Sequence, residues 1–151
     1  MKKLFDQAIL SCIEKSGKTR KEILDFLENP ADDWLPATFR YALAEALEKY
    51  LTAKDNTIKA IYIFGSAVSG TKCPTADIGL ILWVSRKTES LNSFLKDTDR
   101  LLTEHYRKIV GGRAKGIRSF LNLKVVDDGD VESGRNFACL INGLHYKAIK
   151  L

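Results

Sequence analysis

The chain has 151 residues, 45% of them hydrophobic, with two Trp, five Tyr and seven Phe, enough to bury a single core of ordinary size. No apolar run approaches the roughly twenty residues that a membrane helix needs, and Asp6 and Gln7 interrupt the start before a secretory segment could form, so a cytoplasmic protein without membrane association is expected. The net charge of +5 is uneven, because residues 1–54 carry nine basic and nine acidic side chains and residues 55–151 carry fifteen and ten.

Leu4, Phe5, Ala8, Ile9, Cys12 and Ile13 recur at helical spacing and Ser16-Gly17 closes the run, which predicts a first amphipathic helix. Thr19 and Glu22 form a capping box, and Ile23, Leu24 and Leu27 supply the apolar face of a short second helix that stops before Asn29-Pro30. Pro36, after Asp32 and Asp33, fits the first position of a third helix with Phe39, Leu43, Ala46, Leu47, Tyr50 and Leu51 along one stripe. Residues 1–54 therefore read as an N-terminal helical extension and residues 55–151 as a second unit of α/β (α+β) class. In that unit Ile58 to Phe64 is a dense β-branched and aromatic run, read as a central strand, and Ile78 to Val84 is a second strand. Ser90 to Val110 is a helix with Leu91, Phe94, Leu95, Leu101, Leu102 and Ile109 inward, closed by Gly111-Gly112. Phe120 to Val126 is a third strand, Asp127 to Asp130 a polar turn, Phe137 to Leu144 a last helix, and Ala148 to Leu151 a terminal strand.

Cys12, Cys73 and Cys139 are scattered thiols without a C-x-x-C pair, so neither a disulfide framework nor a zinc site is expected, and Cys73 reads as the most exposed of them. His105 and His145 stand far apart and read as surface or core residues. With Ser66 and Asp77 they do not make a hydrolase triad, since no nucleophile elbow is present. Gly65 to Lys72, G-S-A-V-S-G-T-K, approaches a phosphate-binding P-loop, but the final hydroxyl and lysine are reversed and Pro74 stands where the following helix must run. The P-loop reading fails on both counts.

A different motif fits the same residues. Phe64-Gly65-Ser66 ends one strand, Gly70 follows in a short loop, and Asp77-Ile78-Gly79-Leu80 opens the next strand. Over residues 58 to 130 this resembles the nucleotidyltransferases of the DNA polymerase beta superfamily, in particular the minimal nucleotidyltransferase group, whose signature is Gly-Ser, a glycine-containing spacer, and Asp-x-Asp. The resemblance implies a small mixed sheet with flanking helices, a nucleoside triphosphate held at Gly65 and Ser66, and Asp77 as catalytic residue and Mg²⁺ ligand. The chemistry is intelligible without the name. A glycine at a strand end lets backbone approach phosphate, a serine hydroxyl and helix-start amides donate to anionic oxygens, and two carboxylates at i and i+2 on a strand share a face where divalent metal can be held.

Gly79 departs from that pattern, having no ligand to give, and the later strand offers Asn122 or Lys124 where the family carries a third carboxylate. Asp127 and Asp128 lie beyond that strand and read as poor substitutes. One Asp can help hold a single, largely hydrated Mg²⁺, not a pair of ions, so nucleotidyl transfer is expected to be weak or lost while nucleotide binding survives. A non-catalytic nucleotide-binding or interaction module is the alternative, since the resembled group pairs with helical HEPN proteins in toxin–antitoxin systems. Arg107, Lys108, Arg113, Lys115 and Arg118 form a basic run that suits polyphosphate or nucleic acid, or else a solvated face. A DNA-binding regulator built on the N-terminal helices is the third reading, set back by a third helix that carries Arg40 and Lys49 against Glu45 and Glu48.

Overall fold

The computed structural model describes residues 1–28, 34–65, 77–111, 116–143 and 147–151. Among these residues are five α-helices and a four-stranded mixed sheet. Helix α1 (Lys2–Ser16) ends where Gly17 adopts a left-handed φ of 67° and its N–H donates to the Ile13 carbonyl at 2.8 Å. Helix α2 (Arg20–Glu28) starts at the capping box read from the sequence: the Thr19 N–H donates to Glu22 Oε2 at 2.8 Å and the Glu22 N–H to Thr19 Oγ1 at 3.4 Å.

Helix α3 (Trp34–Lys54) begins two residues before the expected start, so Pro36 lies inside the first turn, where its missing N–H has no intrahelical acceptor to serve. Its burial is also wider than one stripe. Leu35, Phe39, Arg40, Ala42, Leu43, Ala44, Ala46, Leu47 and Leu51 are all buried. A helix buried on several sides is committed to the core, and Tyr41, Glu45, Glu48, Lys49 and Thr52 form its remaining outer stripe. Residues 1–54 and the sheet share one apolar cluster that runs from Phe5 and Ile9 through Phe39 and Leu47 to Ile61, Leu80 and Leu121.

Strands β1 (Ile58–Phe64) and β2 (Ile78–Val84) pair antiparallel, and β3 (Leu121–Val126) lies parallel to β2. The short β4 (Ile149–Lys150) pairs with β1, giving the order β3-β2-β1-β4. Helix α4 (Glu89–Val110) makes the crossover from β2 to β3, capped by the Thr88 side chain. Most of its expected inward residues are buried or packed against the core, but Leu101 is exposed. Alternation divides the sheet cleanly. Ile61, Ile63, Leu80, Leu82 and Leu121 belong to the large cluster under the helices, whereas Tyr62, Phe64, Ile81, Trp83 and Val126 join Ala138, Ile141 and Ala148 in a smaller cluster on the opposite face.

Two C-terminal expectations are corrected. Asp127 to Asp130 is not a plain turn. Asp127 caps helix α5 (Asp128–Ser133), its side chain accepting from the Asp130 N–H while the Asp130 side chain accepts from the Asp127 N–H. The expected helix over Phe137 to Leu144 is a 3-10 segment over Asn136–Leu140, and Leu144 lies outside the described residues. Gly134, with a φ of 61°, and Asn136, with a φ of 52°, separate this segment from the preceding helix, and 3-10 segments are short because their hydrogen-bond geometry is poorer.

Candidate functional site at the end of the sheet

The candidate residues meet at the end of the sheet where β1 finishes and β2 and β3 begin. Gly65 follows β1 with a φ of 82°, a left-handed conformation open to glycine, and the space a Cβ would enter is free. Ser66 and Gly70, like Cys73, lie outside the described residues. Asp77 is half-buried and immediately precedes β2, whose first amide, Ile78 N–H, donates to the Phe120 carbonyl at 2.8 Å. The alternation of β2 taken back one residue puts Asp77 on the face of Gly79 and Ile81, away from the large core.

Register places Phe64, Gly79 and Asn122 in one row across β1, β2 and β3. Gly79 and Asn122 are thus direct neighbours. The gap at Gly79 is filled. An added Cβ would stand 2.7 Å from the Phe64 carbonyl oxygen and 3.0 Å from Cε1 and Cζ of the Phe64 ring, so the ring covers the glycine from the neighbouring strand. Phe64 in turn meets Phe137 of the 3-10 segment, with ring centroids 5.6 Å apart, and Lys124 Nζ sits 4.6 Å from the Phe137 centroid. Among the described residues, this end of the face brings together Asp77, Asn122, the Phe64 and Phe137 rings and Lys124. No family model, no curated protein and no solved structure matches this chain.

That donor set does not fit two divalent ions. Among the described residues no three His, Cys, Asp or Glu side chains cluster to hold a metal. An amide at Asn122 is a weak ligand, and the Lys124 ammonium opposes a second cation on the same face while favouring an anionic ligand there. Asp127, Asp128 and Asp130 do not compensate. They follow the far end of β3, and Asp128 is bonded to Trp83, four residues and so about 13 Å along β2 from Gly79. There Asp128 accepts from Lys59 Nζ at 2.7 Å and Trp83 Nε1 at 2.8 Å, the lysine first and then the indole holding its carboxyl below the usual range. Asp130 is held low chiefly by Lys87, and the Lys87 ammonium is raised by the same contact. These acids fasten α5 to the strand ends.

The basic run is divided by the structure. The half-buried Arg107 directs Nε to the Ile117 carbonyl at 2.9 Å and donates to that oxygen through Nη2 as well, so its guanidinium ties the end of α4 to the segment leading into β3. Lys108 and Arg118 are exposed, and Arg113 and Lys115 lie outside the described residues. His105 belongs to the helical layer, edge-on to Phe5 at 5.0 Å, and desolvation is the main cause that lowers its pKa. His145 lies outside the described residues, and of the described cysteines Cys12 is buried and Cys139 exposed.

Sequence reading missed Phe64 as a site residue and gave Phe137 no role beyond a helix start. The signal for the first was a strand aromatic before the turn and a glycine in the next strand, which become partners only once the hairpin register is known. It also missed Asp99. Oδ1 of this α4 carboxylate accepts from the Phe120 N–H at 2.9 Å and the Leu121 N–H at 2.8 Å, and Oδ2 accepts from Ser119 Oγ at 2.7 Å, fixing where β3 starts and hence where Asn122 stands.

Proposed function

We propose that this chain is a nucleotidyltransferase-type domain that keeps a nucleoside triphosphate site and has lost, or nearly lost, transfer of the nucleotidyl group. The observation that carries the proposal is the Phe64 ring seated over Gly79 beside Asn122, which fills with hydrocarbon the place where a second metal ligand would stand. Retained binding is supported by the left-handed Gly65 at the strand end, by Asp77 at the same end of the sheet, and by Lys124 on the same face. In this reading Gly65 and Ser66 would hold the triphosphate, and Asp77 would help hold a Mg²⁺ that neutralises phosphate charge.

Calorimetry with the four nucleoside triphosphates, with and without Mg²⁺, tests the binding half, and transfer of label from α-³²P nucleotides with Mn²⁺ tests the other. Expected are binding that Asp77→Asn weakens by less than about tenfold, near 1.4 kcal/mol, and transfer at background. Robust transfer abolished by Asp77→Ala would refute the loss of catalysis, and absence of binding by every nucleotide would refute the retained site.

A further inference from the structure

The free edge of the sheet supports an inference that does not depend on the nucleotide reading. Strand β3 is the outermost strand on its side, and no described strand pairs with its outer edge. Since Ile78 N–H donates to the Phe120 carbonyl and Gly79 pairs with Asn122, the period of two turns the backbone groups of Asn122 and Lys124 toward β2 and those of Leu121, Leu123 and Val125 outward. The outward Leu121 N–H is taken by Asp99, and the Leu121 carbonyl lies 2.8 Å from Ser119 Oγ, whose one proton it shares with Asp99. Leu123 and Val125 remain as edge positions, and beside them runs a cleft of about 340 Å³ between α4 and β3, lined by Leu95, Lys96, Asp99, Leu121, Leu123 and Val125.

Natural edges are commonly blunted by prolines, bulges or charged side chains. The sequence of β3, Leu-Asn-Leu-Lys-Val-Val, has one lysine and none of the others. We infer that this edge pairs with the same edge of a second copy, β3 against β3 in antiparallel sense, joining the two sheets across a two-fold axis at Leu123.

The choice of a second copy, and of that register, follows from complementarity. Residues directly opposite in an antiparallel pair share a face. An axis at Leu123 sets Leu123 against Leu123 and Leu121 against Val125 on the helical face, and on the other face sets Lys124 against Asn122 of the second copy. Moving the axis one residue to Lys124 would set lysine against lysine, and moving it to Asn122 would set Lys124 against Phe120, which is fully buried. At the Leu123 axis each Leu123 N–H meets the other copy's Leu123 carbonyl, and each Val125 N–H meets the Leu121 carbonyl, which has a second lone pair to give. Lys96 and Asp99 line the same cleft one turn apart on α4, so the two-fold interleaves opposite charges along the seam.

Sedimentation of the full chain over a wide concentration range is expected to show a reversible monomer–dimer equilibrium. Leu123→Pro removes an outward N–H and leaves the β2 ladder intact, so it is expected to weaken the dimer by at least about tenfold while far-UV circular dichroism is preserved. A chain monomeric at every concentration, or a dimer indifferent to Leu123→Pro in folded protein, overturns the inference. Should that variant fail to fold, single cysteines in a background of Cys12→Ala, Cys73→Ser and Cys139→Ser decide. A short bis-maleimide is expected to link Leu123→Cys to itself, and linkage of Lys124→Cys in place of Leu123→Cys overturns the register.

Discussion

Replacing Gly79 is the sharpest test of how the sheet end is built. A Cβ at this position would lie 2.7 Å from the Phe64 carbonyl oxygen and 3.0 Å from two ring atoms, the first well inside any contact that real Cβ atoms make. Phe64 can turn its ring aside, but its carbonyl is part of the strand paired with β2, so relief requires the strands to part locally. Gly79→Ala is therefore expected to destabilise by about 2 kcal/mol, within the usual range for overpacking, and to lower the melting temperature by about 4–8 °C for a chain of this size. Gly79→Asp adds the desolvation of a carboxylate against an aromatic ring and is expected to cost about 3 kcal/mol or more. The decisive comparison is Phe64→Ala, Gly79→Ala and the double variant in urea unfolding. Removing the ring relieves the 3.0 Å contacts but not the carbonyl contact, so the double variant should recover only part of the Gly79→Ala loss. Gly79→Ala as stable as the parent within about 0.5 kcal/mol would refute the reasoning, since surface substitutions free of such contacts fall in that range. The same geometry predicts that Gly79→Asp with Asn122→Asp gives no Mn²⁺ site in folded protein, because the ring and carbonyl of Phe64 occupy the approach.

Asp99→Ala leaves the Leu121 amide without its acceptor, while the Phe120 N–H keeps Thr103 Oγ1 at 3.0 Å, and is expected to cost about 1–2 kcal/mol in equilibrium unfolding, with Asp99→Asn intermediate; a loss below about 0.5 kcal/mol would show that water replaces the acceptor freely. Burial raises the Cys12 thiol from 9.0 to about 11, so the unfolded chain releases this proton first as pH rises. The stability it contributes is complete below pH 9 and is lost as pH climbs to about 11, roughly 3 kcal/mol in all, and Cys12→Ala should flatten that part of the stability profile. Peptide mapping after alkylation of native protein should find Cys139 modified at once and Cys12 only at the rate of unfolding.

The elements of this fold were legible wherever one local rule governed a segment. The capping box at Thr19 and Glu22, the glycine stop at Gly17 and the β-branched run at Ile58 to Phe64 each depend on neighbours in sequence. Helix α3 was read as amphipathic because Phe39, Leu43, Leu47 and Leu51 make a stripe, and the small Ala42, Ala44 and Ala46 gave no sign that further sides would be covered by tertiary packing. Asp127 to Asp130 reads as a turn because its acids look like loop residues, yet two of them close a reciprocal cap and the third is drawn to Lys59 and Trp83 from strands far off in sequence. At the candidate site the absence of a carboxylate at Gly79 and Asn122 is plain in the sequence. Their adjacency, and the Phe64 ring over the gap, depend on cross-strand register, which no local pattern records.

The Phe64 ring over Gly79 also constrains the order in which this surface can change over generations. A carboxylate at position 79 cannot come first, because it meets both the ring and the carbonyl of Phe64. A smaller residue at 64 would have to precede it, at the expense of the ring's contact with Phe137, and β1 would still have to shift before the new side chain fitted. Each of those intermediates is less well packed than the present chain and has no acid yet to show for it. The aromatic cover thus acts as a ratchet, holding the sheet end in its present chemistry against single substitutions.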